Sequence, residues 1–385
     1  MRQTWRWFGP RDPIPLSYIR QAGVEGIVTA LYDVPPGVVW PLETLLGRKR
    51  TIEGAGMTWD VVESLPVTEG IKTADQTRDR DIGTWVDSLR ACHAAGLRTI
   101  CYNFMPALDW TRTELAFERP DGAKALRFDL IDVAAFDLQV LGREAEADYT
   151  PDVVAAARAR ALDMEQIGAT VLAGLPGAME AWTLDTFRSR LDAYAGISAA
   201  DLRANLAHFL RAVVPVAEEL GMRLCCHPDD PPWNVFGLPR IISTEADYAA
   251  LLAAAPSPAN GITFCTGSLG ARGDVDLSGM VERMGRHIHF AHLRNVRREA
   301  ETVPTSFFED THLGGSTDMV AVVRALLHEQ NNRLLAGRED ARIPMRPDHG
   351  QMILDDHTRE TVPGYPAIGR LRGLAELRGV MAALQ

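Results

Sequence analysis

The stretch Arg342-Ile343-Pro344-Met345-Arg346-Pro347-Asp348-His349-Gly350 lies near the C-terminus of the chain. Its apolar first half is typical of a short buried strand, and a carboxylate and an imidazole follow where that strand would end. In an α/β barrel the catalytic groups stand at the C-terminal ends of the strands. We therefore predict that Asp348 completes a metal site and that His349 transfers protons beside it.

Similar short apolar runs recur along the whole chain. They alternate with helical segments, which indicates repeated βα units around a parallel sheet. The strand candidates, the fourth of them placed only loosely, are 26–31, 59–65, 97–105, 170–175, 222–226, 261–264, 287–291 and 342–345. Eight parallel strands are the number that closes a barrel. The fold class predicted is therefore α/β, a (β/α)8 TIM barrel with helical and loop insertions.

Helices are predicted at 82–95, 151–167 and 201–220, and Gly96 is predicted to take a left-handed conformation just past the first of them. The βα rhythm is obscured between about 107 and 200, so we expect insertions chiefly there. No repeat, low-complexity segment or Pro/Ser-rich linker divides the chain. We therefore expect residues 1–385 to form a single barrel domain.

Composition narrows the class of protein. Hydrophobic residues make up 46% of the chain and charged residues 24%, so a sizeable core can form. The formal charge is -11 without a dense Lys/Arg run, which argues against nucleic acid or an anionic membrane as a partner. No secretory leader or long apolar stretch is visible, so the expected location is the cytoplasm. The cysteines are odd in number and irregularly spaced, which is typical of reduced thiols: Cys92, Cys101, Cys225, Cys226 and Cys265.

Potential metal ligands stand at the ends of the last four strand candidates. One ligand from each gives His227, Cys265, His292 and Asp348. Because the C-terminal ends of barrel strands converge on one mouth, these side chains are expected to meet. Thiolate, imidazole and carboxylate together suit Mn²⁺, Fe²⁺, Co²⁺ or Zn²⁺ rather than Ca²⁺ or Mg²⁺. A catalytic site also needs an open coordination position, which favours an ion such as Mn²⁺ over closed tetrahedral Zn²⁺.

Each of these residues has a structural alternative when taken singly. A cysteine in a strand is usually a small buried hydrophobe, and it is the conjunction of four strand ends that predicts a site. His289 is out of phase with His292 in the pleat, and Cys226 with His227, so both are predicted to pack away from the mouth. The segment 309–312 pairs an acid with a histidine, which either lines a site or forms a solvated turn.

Two segments carry a family resemblance: His227-Pro228-Asp229-Asp230-Pro231-Pro232 and Arg346-Pro347-Asp348-His349-Gly350. Here the sequence resembles mannonate dehydratase, whose fold is similar to the xylose isomerase-like barrels. The likeness runs nearly end to end. It also includes Arg6-Trp7-Phe8-Gly9-Pro10, Tyr102-Asn103-Phe104-Met105-Pro106, Ala173-Gly174-Leu175-Pro176-Gly177 and His292-Leu293-Arg294-Asn295-Val296.

The resemblance implies a metal-dependent hydro-lyase that converts D-mannonate to 2-keto-3-deoxy-D-gluconate plus water in hexuronate (glucuronate) catabolism. It places the metal ligands on the four strand-end residues named above, with Mn²⁺ or Fe²⁺ as the ion. His349 and Tyr365 are implied as the proton-transfer pair, with the acid and the base not distinguished. Arg294, Asn103 and His312 are expected to bind the sugar acid, although an arginine or asparagine at a strand end can equally be a salt-bridge partner or a cap.

Two other functions are compatible with the sequence. A metal-dependent sugar isomerase or epimerase on the same barrel also moves a proton next to an oxygenated carbon, but such sites commonly use two carboxylates bridging metals. A non-catalytic sugar-acid binding protein would need no adjacent Asp-His pair. Barrel enzymes often pair, so a homodimer is expected.

Overall fold

The computed structural model describes residues 1–161 and 183–385. Its strands are β1 (Arg2–Arg6), β2 (Gly26–Thr29), β3 (Thr58–Glu63), β4 (Thr99–Tyr102), β5 (Glu114–Glu118), β6 (Lys124–Phe128), β7 (Arg223–Cys226), β8 (Asn260–Cys265), β9 (Ile288–His292), β10 (Val296–Arg298), β11 (Phe307–Glu309) and β12 (Pro344–Arg346). A closed barrel runs in the order β1-β12-β9-β8-β7-β4-β3-β2, with parallel pairing throughout. The predicted (β/α)8 barrel is confirmed.

The strand that completes the barrel is β1, which the sequence analysis did not identify. The candidate at 170–175 lies outside the described residues, and β4 pairs directly with β7. Three of the five residues of β1 are charged or amide side chains, so its sequence lacks the apolar run of a buried strand. It nevertheless pairs with both β2 and β12. Its residues Thr4 and Trp5 are buried, and the Thr4 hydroxyl donates a hydrogen bond to the Met345 carbonyl at 2.8 Å.

Helices surround the barrel. They are α1 (Leu16–Gln21), α2 (Leu42–Gly54), α3 (Glu69–Thr73), α4 (Arg78–Ala94), α5 (Leu130–Ala135), α6 (Pro151–Ala159), α7 (Leu184–Ala193), α8 (Ala199–Glu219), α9 (Glu245–Ala254), α10 (Thr266–Leu269), α11 (Leu277–Met284), α12 (Met319–Leu335) and α13 (Ala367–Ala383). None of these helices combines the length and the apolar composition needed to cross a membrane, in the two ranges that the structure describes.

Two of the predicted helices show why the chain folds locally as it does. In α4 the buried residues Ile82, Trp85 and Leu89 recur at helical spacing, and Gly96 just beyond it has φ +84°, as predicted. Helix α8 begins at a capping box in which Ser198 accepts a hydrogen bond from the Asp201 amide. The helix predicted at 151–167 is α6, which ends at Ala159, and 162–167 lie outside the described residues.

Two layers of side chains fill the molecule. Inside the barrel Val28, Val61, Cys101, Cys225 and Phe290 pack together, while a larger apolar layer lies between the strands and the helices. A second, antiparallel sheet has the order β10-β11-β6-β5. Its strands β5 and β6 come from the segment that follows β4, and β10 and β11 come from the segment that follows β9. The last residue of β11 is Glu309, which this sheet carries to the mouth of the barrel.

Candidate active site

A cavity of about 470 Å³ opens at the C-terminal ends of the barrel strands. Most of the residues predicted to carry chemistry line it: Asn103, His227, Arg294, Asp348, His349 and Tyr365. Cys265 and His292 lie just behind its wall and are fully buried. Segments far apart in sequence therefore meet at one end of the barrel, as the convergence of parallel strand ends requires.

Three predicted metal ligands converge at the ends of β7, β8 and β9. The ligand atoms of His227, Cys265 and His292 all lie within 4.8 Å of one another. The two imidazoles approach most closely, with 3.2 Å between His227 Nε2 and His292 Nδ1. Burial lowers the pKa of His227, which favours the neutral ring that can offer a lone pair to a cation.

Asp348, the fourth predicted ligand, follows β12 and reaches the same group. Its Oδ2 is 3.8 Å from Cys265 Sγ and 4.0 Å from His292 Nδ1. Burial alone would raise its pKa, but Arg346 and other neighbouring cations hold the pKa well below the ordinary value. The carboxylate is therefore ionised. The residue has φ +65°, in the left-handed region that asparagine and aspartate tolerate better than most side chains.

This donor set fits a divalent transition-metal ion. Two imidazole nitrogens, a sulfur and a carboxylate oxygen face one another in a buried place, and that combination is typical of transition-metal sites. The sulfur of Cys265 also accepts hydrogen bonds from the Ser268 amide at 3.4 Å and the Ser268 hydroxyl at 3.2 Å. A cysteine binds a metal ion through this sulfur atom. The chain thus has a possible His/Cys metal site.

The predicted proton-transfer pair is in direct contact. His349 Nε2 lies 3.0 Å from the Tyr365 hydroxyl, and both side chains line the cavity. On its other side His349 Nδ1 is 2.5 Å from Glu309 Oε1. Burial raises the pKa of Tyr365 in spite of Arg6 and Arg346 nearby, so the phenol is protonated and able to donate.

The three residues predicted to bind substrate have different surroundings. Asn103 lines the cavity and also accepts a hydrogen bond from the Met105 amide at 3.4 Å. Arg294 lines the cavity, but its guanidinium already contacts other side chains of the site. His312 does not reach the cavity: its Nε2 lies 2.7 Å from the Pro347 carbonyl, so it supports the turn that carries Asp348 instead.

A buried ionic network next to the pair was not singled out from the sequence. Arg112 donates to Asp230 at 2.8 and 3.2 Å and to Glu309 at 3.3 Å. Arg294 donates to Asp230 at 2.6 Å and to Glu309 at 3.3 Å. A bulkier residue than glycine at position 267 would collide with Arg294, since an added Cβ would lie 1.9 Å from its Nε. The acid in the segment 309–312, Glu309, is therefore buried beside His349 and the two arginines and is not part of a solvated turn.

A further carboxylate, Glu63, ends β3 at the cavity wall. It accepts hydrogen bonds from Arg346 at 2.8 and 3.1 Å and from Arg6 at 3.2 Å, and its Oε1 lies 3.5 Å from His292 Nε2. The strand predicted from the sequence ran over 59–65, so Glu63 did not stand at its end, whereas the observed strand ends at this residue. Glu63 and Asp230 show that polar residues at strand ends also serve to hold the cations of the site.

A closed parallel barrel with a possible His/Cys metal site and a histidine-tyrosine pair at its mouth has the arrangement of a metal-dependent barrel enzyme. A model of the D-mannonate dehydratase (UxuA) family matches residues 1–385, and the chain belongs to that family. It is thus a hydro-lyase. Mannonate dehydratase 1 of Agrobacterium fabrum is 53% identical over 390 residues, which cover 100% of this chain and 97% of that relative.

Solved structures agree with this assignment. The crystal structure of mannonate dehydratase from Streptococcus suis serotype 2 superposes with a TM-score of 0.78 at 35% identity, covering 100% of this chain and 93% of that chain. A xylose isomerase domain protein from Planctomyces limnophilus has a TM-score of 0.51 at 9% identity, over 100% of this chain and 96% of that one. That second likeness concerns the fold alone, and it confirms the predicted xylose isomerase-like barrel.

Proposed function

We propose that this chain removes water from D-mannonate and releases 2-keto-3-deoxy-D-gluconate. The observation that carries the proposal is the contact between His349 and Tyr365 on the cavity wall, beside the converged side chains of His227, Cys265, His292 and Asp348. An acid and a base in contact suit a reaction in which one proton leaves carbon while another is given to a departing hydroxyl.

In the proposed reaction each proton that is lost has an acceptor and each proton that is gained has a donor. The C2–H bond breaks and its electron pair forms a C2=C3 double bond, while the C3–O bond breaks and the hydroxyl leaves as water. One member of the pair His349 and Tyr365 accepts the C2 proton, and the other gives its proton to the departing oxygen. The enol that remains takes up a proton at C3 and loses the proton of its C2 hydroxyl, so that it becomes the 2-keto acid.

We propose that the resident ion is Mn²⁺ or Fe²⁺, held by His227, Cys265, His292 and Asp348. When bound, such an ion supplies Lewis-acid stabilisation for the negative charge that develops next to the substrate carboxylate. The protein adds cations of its own at the same wall. Arg6 lies 3.5 Å from the Tyr365 hydroxyl, and we propose that it and Asn103 orient the substrate.

Product analysis tests the proposal. Protein loaded with Mn²⁺ is incubated with a panel of aldonates, and the products are identified. A 2-keto-3-deoxy acid from D-mannonate supports the proposed reaction. An isomerised sugar would show an isomerase or epimerase, and binding without turnover would show a sugar-acid binding protein. The homodimer and the cytoplasmic location stay predictions; sedimentation of the purified protein measures the first.

A further inference from the structure

Glu309 is the side chain that faces His349 from the direction opposite to Tyr365. One of its carboxylate oxygens, Oε1, receives every polar contact: His349 Nδ1 at 2.5 Å, Arg112 Nη2 at 3.3 Å and Arg294 Nη1 at 3.3 Å. The other oxygen, Oε2, is buried and has no hydrogen-bond partner among the described residues. All of the directed interactions of this carboxylate are therefore made at the atom that touches the histidine.

The short contact determines where the hydrogen of the imidazole lies. An ionised carboxylate can only accept, so an oxygen at 2.5 Å from Nδ1 requires a hydrogen on that nitrogen. A neutral imidazole carries one N–H, which leaves a lone pair on Nε2. That lone pair points to the Tyr365 hydroxyl at 3.0 Å and to the cavity.

We infer that Glu309 is a positioning residue that holds His349 in the Nδ1–H tautomer and so makes Nε2 of His349 the acceptor of the C2 proton. This inference rests on the dehydration proposed above and adds the direction of proton transfer, since Tyr365 then donates to the departing hydroxyl. A carboxylate that orients a histidine in this way does not touch substrate; it fixes which ring nitrogen is free.

The position of Glu309 is itself fixed by the two arginines. Arg112 is fully buried and holds Asp230 with two nitrogens while it donates to Glu309. Arg294 also donates to both of these carboxylates, Asp230 and Glu309. The carboxylate therefore cannot swing away from His349 without leaving two buried guanidinium groups underneutralised, which is costly.

Loss of Glu309 would have a specific consequence for the tautomer. Arg294 Nη1 also lies 3.0 Å from His349 Nδ1. A guanidinium can only donate, and it finds no lone pair on Nδ1 while that nitrogen gives its hydrogen to the closer oxygen of Glu309. Without the glutamate oxygen this donor becomes the nearest partner of Nδ1. The ring would then carry its hydrogen on Nε2, where it blocks acceptance of a proton from substrate.

Three substitutions test the inference. Glu309→Leu removes the acceptor; Glu309→Gln keeps a carbonyl oxygen at the Oε1 position and places its NH₂ where Oε2 has no partner. Asp310→Asn is the matched control, because Asp310 is the adjacent buried carboxylate and pairs with Arg119 at 2.6 Å and Arg297 at 2.7 Å, away from His349. We expect kcat to fall about 100-fold in Glu309→Leu and about tenfold in Glu309→Gln, with KM changed less than about twofold, and kcat to be retained in Asp310→Asn.

The tautomer is measured directly on the Zn²⁺-loaded protein labelled with ¹⁵N-histidine, in which His349 is assigned by its absence in His349→Asn. Protonated Nδ1 in the unsubstituted protein and protonated Nε2 in Glu309→Leu support the inference. Protonated Nε2 in the unsubstituted protein overturns it, whether or not the variants fold. Equal losses of kcat in Glu309→Leu and Asp310→Asn would also overturn it. Absence of a 2-keto-3-deoxy product with the unsubstituted protein would instead refute the proposed function, and the ¹⁵N result would still decide the tautomer.

Discussion

Replacement of His349 by asparagine separates proton transfer from metal binding. The shorter amide can place a nitrogen near the position of Nδ1 and keep the hydrogen bond to Glu309, which is 2.5 Å long in the native site. It cannot extend to Tyr365, which lies 3.0 Å beyond Nε2. The converged side chains of His227, Cys265 and His292 are not altered.

The size of the effect follows from these contacts. General acid–base catalysis contributes about 10²–10⁴ to the rate, so we expect kcat to fall by that factor, which is about 2.7–5.4 kcal/mol in the barrier. The lost hydrogen bond to Tyr365 should cost about 1 kcal/mol in the free energy of unfolding. Activity should therefore be lost from a protein that is still folded and still binds metal.

Three measurements decide the outcome. The initial rate of 2-keto-3-deoxy acid formation gives kcat, elemental analysis gives the metal content per chain, and urea unfolding gives the stability. Normal turnover in His349→Asn would remove His349 from the mechanism. Loss of the metal together with activity would show that His349 is needed to form the metal site. The assignment of metal binding to Asp348 and of proton transfer alone to His349 would then be wrong.

The contacts also predict the effects of substitutions at Tyr365, Cys265 and His289. Tyr365→Phe removes only the hydroxyl, so kcat should fall about 10²-fold or more with metal content and KM retained; unchanged kcat contradicts the pairing with histidine. Cys265→Ser should lower metal content, whereas the buried Cys92→Ser, in α4, should not; full metal occupancy in the first variant contradicts thiolate ligation. Burial lowers the pKa of His289 from 6.5 to about 3, so the unfolded chain binds the extra proton between these values and stability should fall as the pH drops through this window. The loss is about 2 kcal/mol at pH 5. His289→Gln, which can still donate to the Pro258 carbonyl, should abolish that contribution in urea titrations at pH 7 and pH 5, and an unchanged acid dependence would contradict it.

The strands that were predicted from the sequence after residue 220 are mostly apolar. They are runs of apolar and β-branched residues buried on both faces, and each ends in polar side chains. Because parallel barrel strands are covered on both sides, such continuous apolar runs identify them. Strand β1 lacks this pattern. Its place in the barrel depends on pairing with β12 across nearly the whole length of the chain, which no local pattern can indicate.

Some residues of the site could also be predicted from local sequence patterns, and others could not. His227, Cys265 and His292 are each the last residue of a strand or its successor, so strand ends were sufficient to bring them together. Glu309 belongs to the second sheet, whose strands come from two distant segments. Its approach to His349 depends on how that sheet packs on the barrel. The sequence offered only an acid near a histidine, in a segment whose role was left open. The histidine of that segment, His312, contacts the Pro347 carbonyl, and its part in substrate binding stays a prediction.

The adjacent pair Asp348 and His349 has a further physical requirement. In an extended strand neighbouring side chains point to opposite faces, yet both of these line the cavity. The left-handed φ of +65° at Asp348, two residues after the end of β12, interrupts the alternation. Such a conformation costs on the order of 1 kcal/mol, and the buried ion pair with Arg346 helps to hold it. A metal ligand and a proton carrier can thus be consecutive residues because the strand has already ended, at Arg346, before the first of them.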